Sequence, residues 1–527
     1  MTGPSPGDRW KKVVLVAGFL VFVDLPHLPL RFLSQASRGW EDVADNANVM
    51  SQIAEASRGG LVYQNPYAPE GSPRLVFHPL FLAAGLFVRA GLAADWVFRI
   101  VRMVGALAVA LLTVRMSWRY APGDPAIATV LMLFGSGVGP LAALVDRRMP
   151  LPESLQALRV SLPEATTADT CTVYAHVAVA LAMLLAVHAC WLVAIATGSR
   201  RAAWGAAIWH ALLAFTHPFD VVPVVLVVVA SIAALAARGE SVVRLGLLAL
   251  PVLAAPAPGV AYFKWLSVAH PELANAVHLR QPPYPLMPML GTVGATVAVA
   301  IAAAVLHRGR RGVTDVYILV WLCVQLFAAT IGLPLVSFER RLIMGVLAPA
   351  ALLAGPLVAR LLGGRPPSRA LGVLLLLSCV AGSFVRQLSL EDLVPARVVA
   401  KGKQRPLSIR TADALADPTP LWRELRARLQ RGDIILCPAG IGVAVPWRTD
   451  AKPYIGHRAY TPDYERREGE LRAFFTSMSD AERRGFLDAR HITWILQMAP
   501  LPPAELTSSV VEKVAEIGGA RLYRAVR

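Results

Sequence analysis

Long apolar blocks separated by short polar segments fill the first three-quarters of the chain. Two examples are VVPVVLVVVASIAALAA at residues 221–237 and LIMGVLAPAALLAGPLVARLL at 342–362. Each is close to the roughly 20 residues that an α-helix needs to cross the hydrocarbon core of a bilayer. The pattern therefore predicts a mainly α-helical protein, built as a polytopic transmembrane bundle.

About eleven of these blocks are expected to cross the membrane. The first one follows Arg9, Lys11 and Lys12 and has no convincing small-residue cleavage site, so we expect it to remain as a signal anchor. The predicted spans are 13–33, 97–116, 126–145, 173–197, 202–215, 221–237, 245–263, 287–306, 316–335, 342–362 and 371–384.

One further apolar block, FHPLFLAAGLFVRAGLAA at 77–94, contains Arg89 and several glycines. If it does not cross, the N-terminus and the arginine-rich loops between the later spans all face the cytoplasm. If it crosses, every one of those loops moves outside while the N-terminus stays. The positive-inside rule favours the first arrangement. We therefore expect a cytoplasmic N-terminus, an extracytoplasmic C-terminus, and outer loops at 34–96 and 146–170.

From about Glu391 onward the composition becomes that of a water-soluble protein, so the predicted domains are 1–389 and 390–527. Apolar runs at 433–438, 492–497 and 521–526 are typical of strands. Helices are expected at 421–431, 466–478, 480–490 after a Ser479 cap, and 508–517 before a Gly518–Gly519 stop. This alternation predicts a small α/β domain outside the cytoplasm. The short Gly440-Ile441-Gly442 sequence indicates a turn rather than a nucleotide site.

The composition agrees with a membrane protein and argues against nucleic acid as a partner. Hydrophobic residues make up 55% of the 527 residues and charged residues only 17%, against about 25% charged in soluble proteins. The formal charge is +17, and most of the basic residues lie between apolar blocks, where they determine the membrane topology. The sequence contains no basic face interleaved with aromatic residues, so nucleic-acid binding is not expected. The five cysteines show no CxxC spacing and are expected to be small core residues.

Acidic residues are concentrated in the first outer loop, where Glu41, Asp42 and Asp45 lie within five positions. Carboxylates at a membrane surface are often simply solvated. The functional alternative is a general base that takes a proton from an acceptor hydroxyl. On a helix, Asp42 and Asp45 would share one face. Such a pair could also hold a divalent metal ion, although two carboxylates do not specify one.

Two other polar clusters lie at predicted outer ends of spans. THPFD contains His217 and Asp220, and FERRL contains Glu339, Arg340 and Arg341. The arginines either form an ion pair that anchors a helix end or bind a phosphate through the planar guanidinium. His217 either caps a helix or lines a site.

Two further candidates are less specific. His78 lies in FHPLF, at the start of the block that is not expected to cross. Asp24 lies inside the first predicted span, and an ionisable residue at membrane depth is a functional candidate by default. Because Pro26 and Pro29 interrupt that span, Asp24 could equally lie at a hydrated, irregular end.

Taken in order, these segments resemble the GT-C superfamily of polytopic glycosyltransferases that use polyprenyl-phosphate sugars, especially its uncharacterised bacterial members. The acidic first loop is followed by RGGLVYQNPY at 58–67, FHPLFLAAG at 77–85, FGSGVG at 134–139, HPFD at 217–220, FERRLIMGVLAPAALLAG at 338–355 and GHRAYTPDYERR at 456–467. No single motif is diagnostic, and the order and spacing carry the resemblance.

The resemblance implies an inverting sugar transfer at the outer face of a bacterial plasma membrane. The donor would be a polyprenyl-phosphate-linked sugar, and the acceptor an envelope lipid, glycan or protein. The first-loop acid of the family best matches Asp45, with Asp42 next, and the phosphate-binding arginine best matches Arg340 or Arg341. In this interpretation Glu339, His217, Asp220 and His78 line the substrate site.

Two other functions remain open from the sequence. A lipid or small-molecule transporter or flippase would often show two repeated halves with interrupted helices, and no such repeat is visible by eye. A non-catalytic relative could instead serve as a scaffold for envelope assembly through its soluble domain.

Overall fold

The computed structural model describes residues 6–25, 44–146, 149, 151–159, 165–270, 286–306, 312–331, 339–388, 419–498, 501 and 506–526. The chain divides into two compact units. The membrane unit comprises Met1–Leu33, Ile100–Phe263 and Arg280–Glu391, and the loop–tail unit comprises Ser34–Arg99, Lys264–Leu279 and Asp392–Arg527. The loop at 34–96 thus belongs to the same unit as the C-terminal residues. The division into domains at residue 389 stays a prediction.

Eight helices among the described residues are long and apolar enough to cross a membrane. Each overlaps one of the predicted spans, which confirms the polytopic helical class. Their bounds are Ala94–Tyr120, Ala175–Thr197, Pro218–Ala236, Val242–Ala269, Leu286–Leu306, Val313–Thr330, Arg341–Leu362 and Pro366–Gln387. The total of eleven spans stays a prediction.

Two of the remaining predicted spans are also helical as far as they are described. The first helix is Pro6–Asp24, and residues 26–33 of the predicted span at 13–33 lie outside the described residues. The span predicted at 202–215 is the helix Arg200–Thr216, whose N-terminus is capped by the Ser199 side chain. At 17 residues this helix is about 26 Å long, slightly short of a typical hydrocarbon core.

The span predicted as a single helix at 126–145 is instead divided into Pro125–Phe134 and Gly139–Asp146. Gly135 is extended, and the Ser136 backbone N–H donates to the Cys379 carbonyl at 2.7 Å. A Cβ at Gly137 would lie 2.5 Å from the Gly291 carbonyl oxygen, so only glycine allows this close approach. Hydropathy alone did not reveal the break because both halves are apolar.

The loop–tail unit contains a five-stranded mixed sheet, whose strands are β1 Ile434–Leu436, β2 Lys452–Pro453, β3 Trp494–Gln497, β4 Val511–Ile517 and β5 Ala520–Ala525. Their order in the sheet is β2-β1-β3-β5-β4. Neighbouring strands are parallel for β2-β1 and β1-β3, and antiparallel for β3-β5 and β5-β4. The helices of this unit include Ala44–Ser57, Pro79–Arg89, Thr419–Arg428, Ala439–Gly442, Val445–Arg448, Tyr464–Thr476 and Asp480–Ala489.

Most of the predicted C-terminal elements are present, with one correction. The helix expected at 508–517 is wrong, because residues Val511–Ile517 form β4 and pair with β5. Gly518 and Gly519 both have positive φ, 55° and 83°, which is the geometry of a two-residue hairpin turn rather than of a helix stop. The Ser479 cap is confirmed, since Ser479 and Glu482 form a reciprocal capping box.

The ambiguous block at 77–94 contains the helix Pro79–Arg89, which has only 11 residues. Its length of about 16 Å is roughly half the hydrocarbon thickness. It packs on the helix Ala44–Ser57, where a Cβ added at Gly85 would lie 2.9 Å from the Ala56 backbone. This geometry supports the prediction that the block does not cross the membrane.

Candidate functional site

Asp45 lies in the first turn of the helix Ala44–Ser57, where the helix dipole favours a negative charge. Its carboxylate is about half exposed, with 47% of the side chain accessible, and Oδ1 lies 3.1 Å from Nε2 of His457. The loop–tail unit therefore joins the first-loop acid to a histidine that is 412 positions away in the chain. Glu41 and Asp42 lie outside the described residues, so the predicted pairing of Asp42 with Asp45 stays a prediction.

The hydrogen bonds of His457 define its tautomer. The backbone N–H of Ala459 donates to Nδ1 at 3.1 Å, so in the neutral ring Nδ1 is the acceptor and Nε2 carries the proton. Nε2–H then donates to Oδ1 of Asp45. The imidazole is a hydrogen-bond donor to the carboxylate, which can stabilise its charge and fix its orientation.

Close packing holds the imidazole in place. Its ring centroid is 6.3 Å from that of Tyr67 and 5.2 Å from that of Tyr460. A Cβ at Gly456 would lie 2.5 Å from the Tyr67 ring, so glycine is needed just before the histidine. The Tyr67 hydroxyl donates to the Val443 carbonyl at 3.0 Å. Burial raises the pKa of Tyr67, which keeps this hydroxyl protonated as a donor.

A second set of contacts connects the same two stretches of the loop–tail unit. Arg467, which is buried, donates from Nη2 to both carboxylate oxygens of Glu70 at 2.7 and 2.6 Å. The side-chain amide of Asn65 donates to the Tyr460 carbonyl at 2.7 Å. The Asn65 side-chain oxygen accepts from the Tyr67 backbone N–H at 3.0 Å, which forms an Asx turn at Asn65-Pro66-Tyr67.

In the membrane unit the structure brings together His217, Asp220 and Arg341, three of the predicted site residues. His217 Nδ1 lies 2.7 Å from Oδ2 of Asp220, so Nδ1 is the protonated donor and Nε2 can accept. The Arg341 Nη1 lies 3.5 Å from Nε2. Asp220 is fully buried, and the guanidinium carbon of Arg341 lies 5.8 Å from the Phe219 ring centroid. The buried acid thus orients the histidine, and the histidine orients a partly buried arginine.

The other sequence candidates have more limited roles where they are described. His78 is the N-cap of the helix Pro79–Arg89: its Nδ1 accepts from the Phe81 backbone N–H, and its ring stacks on Phe81 at 3.7 Å. Glu339 and Arg340 lie in the short 3₁₀ helix Glu339–Ile343, and their side chains are outside the described residues. The roles of all three in substrate binding stay predictions.

Asp24 forms an ion pair with Arg102, which is buried and also donates to the Val23 carbonyl at 3.0 Å. Sequence reasoning missed both Arg102 and a second buried pair, Asp169 with Arg386 at 3.2 Å. Arg102 lies inside the predicted span 97–116, where an ionisable residue was the available signal, whereas Arg386 lies just beyond the predicted span 371–384. Both pairs satisfy charges inside the membrane unit, which is the expected arrangement for buried ions.

A divalent metal ion was considered for the acids of the first loop. No group of three or more His, Cys, Asp or Glu residues in the described part of the chain is placed to hold a metal ion. Among the described residues, the Asp45 carboxylate contacts His457. The divalent metal ion considered from the sequence therefore stays a prediction that involves Asp42.

Comparison with known proteins shows similarity only at the level of structure. No protein-family model matches the sequence, and no curated protein matches it. Among solved structures, ArnT from Cupriavidus metallidurans bound to undecaprenyl phosphate superposes with a TM-score of 0.55 and 13% identity, over 98% of each chain. The archaeal oligosaccharyltransferase AglB from Archaeoglobus fulgidus, in complex with an inhibitory peptide and a dolichol-phosphate, gives a TM-score of 0.53 and 12% identity.

The match to AglB covers 93% of this chain and 70% of AglB. A second structure of that oligosaccharyltransferase, tethered to an acceptor peptide containing the NVT sequon, gives a TM-score of 0.54 over the same shares. TM-scores of 0.53–0.55 show a shared fold, although the identities are only 12–13%. The resemblance predicted from the order of sequence motifs is confirmed at the level of the fold. The chain therefore shares its fold with ArnT and with the archaeal oligosaccharyltransferase.

Proposed function

We propose that the protein is a membrane glycosyltransferase that transfers a sugar from a polyprenyl-phosphate carrier to an acceptor on the extracytoplasmic side. Its fold is shared with two proteins whose structures contain dolichol-phosphate and undecaprenyl phosphate, respectively. The observation that carries the proposal is the hydrogen bond between Asp45 and His457. A half-exposed carboxylate oriented by a neutral imidazole has the chemistry of a general base.

In the proposed reaction Asp45 takes the proton from an acceptor hydroxyl while the acceptor oxygen attacks the anomeric carbon of the sugar. The bond between that carbon and the phosphate oxygen breaks, and its electron pair leaves with the lipid phosphate. A single displacement of this kind inverts the configuration at the anomeric carbon. Asp42 is proposed to support Asp45.

Arg341 is proposed to bind the carrier phosphate. Its guanidinium is oriented by His217 and, through it, by the buried Asp220. A planar fork of N–H donors matches phosphate oxygens better than a point charge does. It also stabilises the charge that develops on the leaving phosphate. Arg340 and Glu339 are proposed to bind the phosphate together with Arg341. His78 is proposed to support the first loop by capping its short helix.

Transfer assays on the purified full chain in lipid nanodiscs test this proposal. The donors are a panel of radiolabelled polyprenyl-phosphate hexoses and pentoses, and the acceptors are envelope lipid, glycan and protein fractions. The wild-type chain is expected to transfer label from at least one donor, and failure with the whole panel would contradict the proposed function.

The Asp45→Asn variant should reduce turnover by about 10²- to 10⁴-fold, the usual contribution of a general base. Asp450→Asn is the matched control, because Asp450 is an acid of the same unit, 72% exposed and paired with Arg58. It should retain turnover within about twofold, as is usual for an exposed ion pair. Wild-type turnover in Asp45→Asn would remove Asp45 from the mechanism.

A further inference from the structure

The segment GHRAYTPDYERR was part of the sequence resemblance, yet sequence reasoning assigned no role to any of its residues. In the structure it supplies His457, which contacts Asp45, and Arg467, which pairs with Glu70. Both partners belong to the first loop, so this segment is where the tail binds that loop within the loop–tail unit.

We infer that His457 is a positioning residue for the proposed base, so that the tail completes the catalytic machinery of the first loop. This inference rests on the proposed function. His457 need not touch the substrate, because its effect is exerted through the carboxylate of Asp45. The Nε2–H donor stabilises the ionised carboxylate and selects one orientation of it.

The surroundings of His457 are those of a rigid support rather than of a mobile surface side chain. Its Nδ1 is engaged by the Ala459 N–H at 3.1 Å, so the ring cannot flip without losing a hydrogen bond. Only 11% of its side chain is exposed, against 47% for Asp45. A buried donor directed at a more exposed acid is the arrangement expected when the acid reacts and the donor orients it.

The contacts on either side of His457 limit its backbone as well. Gly456 N–H donates to the Thr461 hydroxyl at 3.1 Å, and Asn65 binds the Tyr460 carbonyl. Arg467 adds two hydrogen bonds to Glu70 and one to the Tyr454 carbonyl at 3.0 Å. The segment is therefore fixed to the first loop at several points, and the His457–Asp45 contact is one part of a stable interface inside the unit.

Two substitutions separate the contact with Asp45 from the local turn. In His457→Asn the shorter side chain can still accept the Ala459 N–H, as in an Asx turn, but it cannot reach Asp45. In His457→Gln the amide N–H extends about as far as Nε2 and can still donate to Asp45. His491→Asn is the matched control, because His491 has φ 53° and asparagine tolerates that left-handed conformation.

Steady-state transfer by the full-length variants in nanodiscs is the test. His457→Asn should lower kcat by about tenfold or more, as when a hydrogen bond to a charged group is lost. Its KM for the lipid donor should stay within about twofold, since uniform binding is unaffected. His457→Gln should recover kcat to within about threefold of wild type, and His491→Asn should equal wild type. A wild-type kcat in His457→Asn, or an equal loss in both His457 variants, would overturn the inference.

A spectroscopic measurement distinguishes failure of this inference from failure of the proposed function. The ¹⁵N NMR spectrum of histidine-labelled full chain, with the His457 signal identified by its loss in His457→Asn, should show a protonated Nε2 and an accepting Nδ1. The Nε2 signal should shift in Asp45→Asn. An unchanged Nε2 signal in that variant would overturn the inference whatever the activity, whereas the expected spectrum from a chain that transfers no sugar would contradict the proposed function alone.

Discussion

Arg341 is oriented by the side chains behind it as well as by its own helix. His217 Nε2 lies 3.5 Å from its Nη1, and the buried Asp220 fixes the other nitrogen of the same ring. An arginine held in this way keeps its N–H donors in one plane and loses little conformational entropy when it binds a phosphate. A lysine at the same position would keep the charge but would lose the planar, forked arrangement of N–H donors.

Arg341→Lys is therefore expected to raise the KM for the polyprenyl-phosphate donor by about tenfold, the effect of one lost charge-assisted hydrogen bond. The measurement is the dependence of the initial transfer rate on donor concentration. Arg360→Lys, an exposed position in the last turn of the helix Leu347–Leu362, is the control and should leave KM within about twofold. An unchanged KM in Arg341→Lys would remove this residue from donor binding.

At this scale the sequence indicated the residues that stand out locally and missed those defined by distant partners. His217, Asp220 and Arg341 were candidates because each is polar at the end of an apolar block. His457 was not, because its partner Asp45 lies 412 positions away and a single histidine in a polar segment carries no local signal. Asp169 and Arg386 were missed for the same reason, since they are separated by more than 200 residues.

Several elements of the membrane unit depend on glycines where backbones approach closely. At Gly291, in the helix Leu286–Leu306, an added Cβ would lie 2.1 Å from the Leu158 carbonyl oxygen. The three nearest atoms all belong to the Leu158 backbone, so the clash cannot be relieved by a side-chain rotation. The helix and the segment Ala157–Arg159 would have to move apart.

Gly291→Ala is thus expected to destabilise the membrane unit by about 1–3 kcal/mol, the usual cost of overpacking. The measurement is the midpoint of thermal unfolding in detergent, monitored as the fraction of protein that remains monodisperse after heating. Gly246→Ala is the matched control, since nothing lies within 4 Å of an added Cβ in that helix. It should be neutral or slightly stabilising, because alanine favours helix by up to about 1 kcal/mol. Equal midpoints for the two variants would contradict the close approach at Gly291.

The elements that the sequence predicted well are those whose pattern is local and long. Eight predicted spans overlap apolar helices, because a continuous apolar block of about 20 residues has few other solutions. The failures occurred where a distant contact overrides the local pattern. Residues 511–517 suit a helix by spacing but form a strand because β5 pairs with them, and the break after Phe134 depends on the neighbouring Gly291 and Cys379.

On the scale of the whole molecule, the main result is the composition of the loop–tail unit. The charge distribution predicted that the first loop and the tail share a compartment, and the structure joins them by the contacts of Asp45 with His457 and of Glu70 with Arg467. The sequence could not reveal these contacts, since their partners are 412 and 397 positions apart in the chain. What the sequence did predict is a topology in which such contacts are feasible.

Cysteine labelling from outside intact cells tests most directly the topology on which the proposed reaction depends. Leu61→Cys and Asp450→Cys place thiols at exposed positions of the first loop and of the tail, and Ala237→Cys places one in an exposed loop that the positive-inside rule assigns to the cytoplasm. Relative to the wild-type chain as background, a membrane-impermeant maleimide should label the first two in intact cells, and the third only after permeabilisation. Labelling of Leu61→Cys and Asp450→Cys from opposite sides, or of both only after permeabilisation, would contradict an extracytoplasmic transferase built from the first loop and the tail.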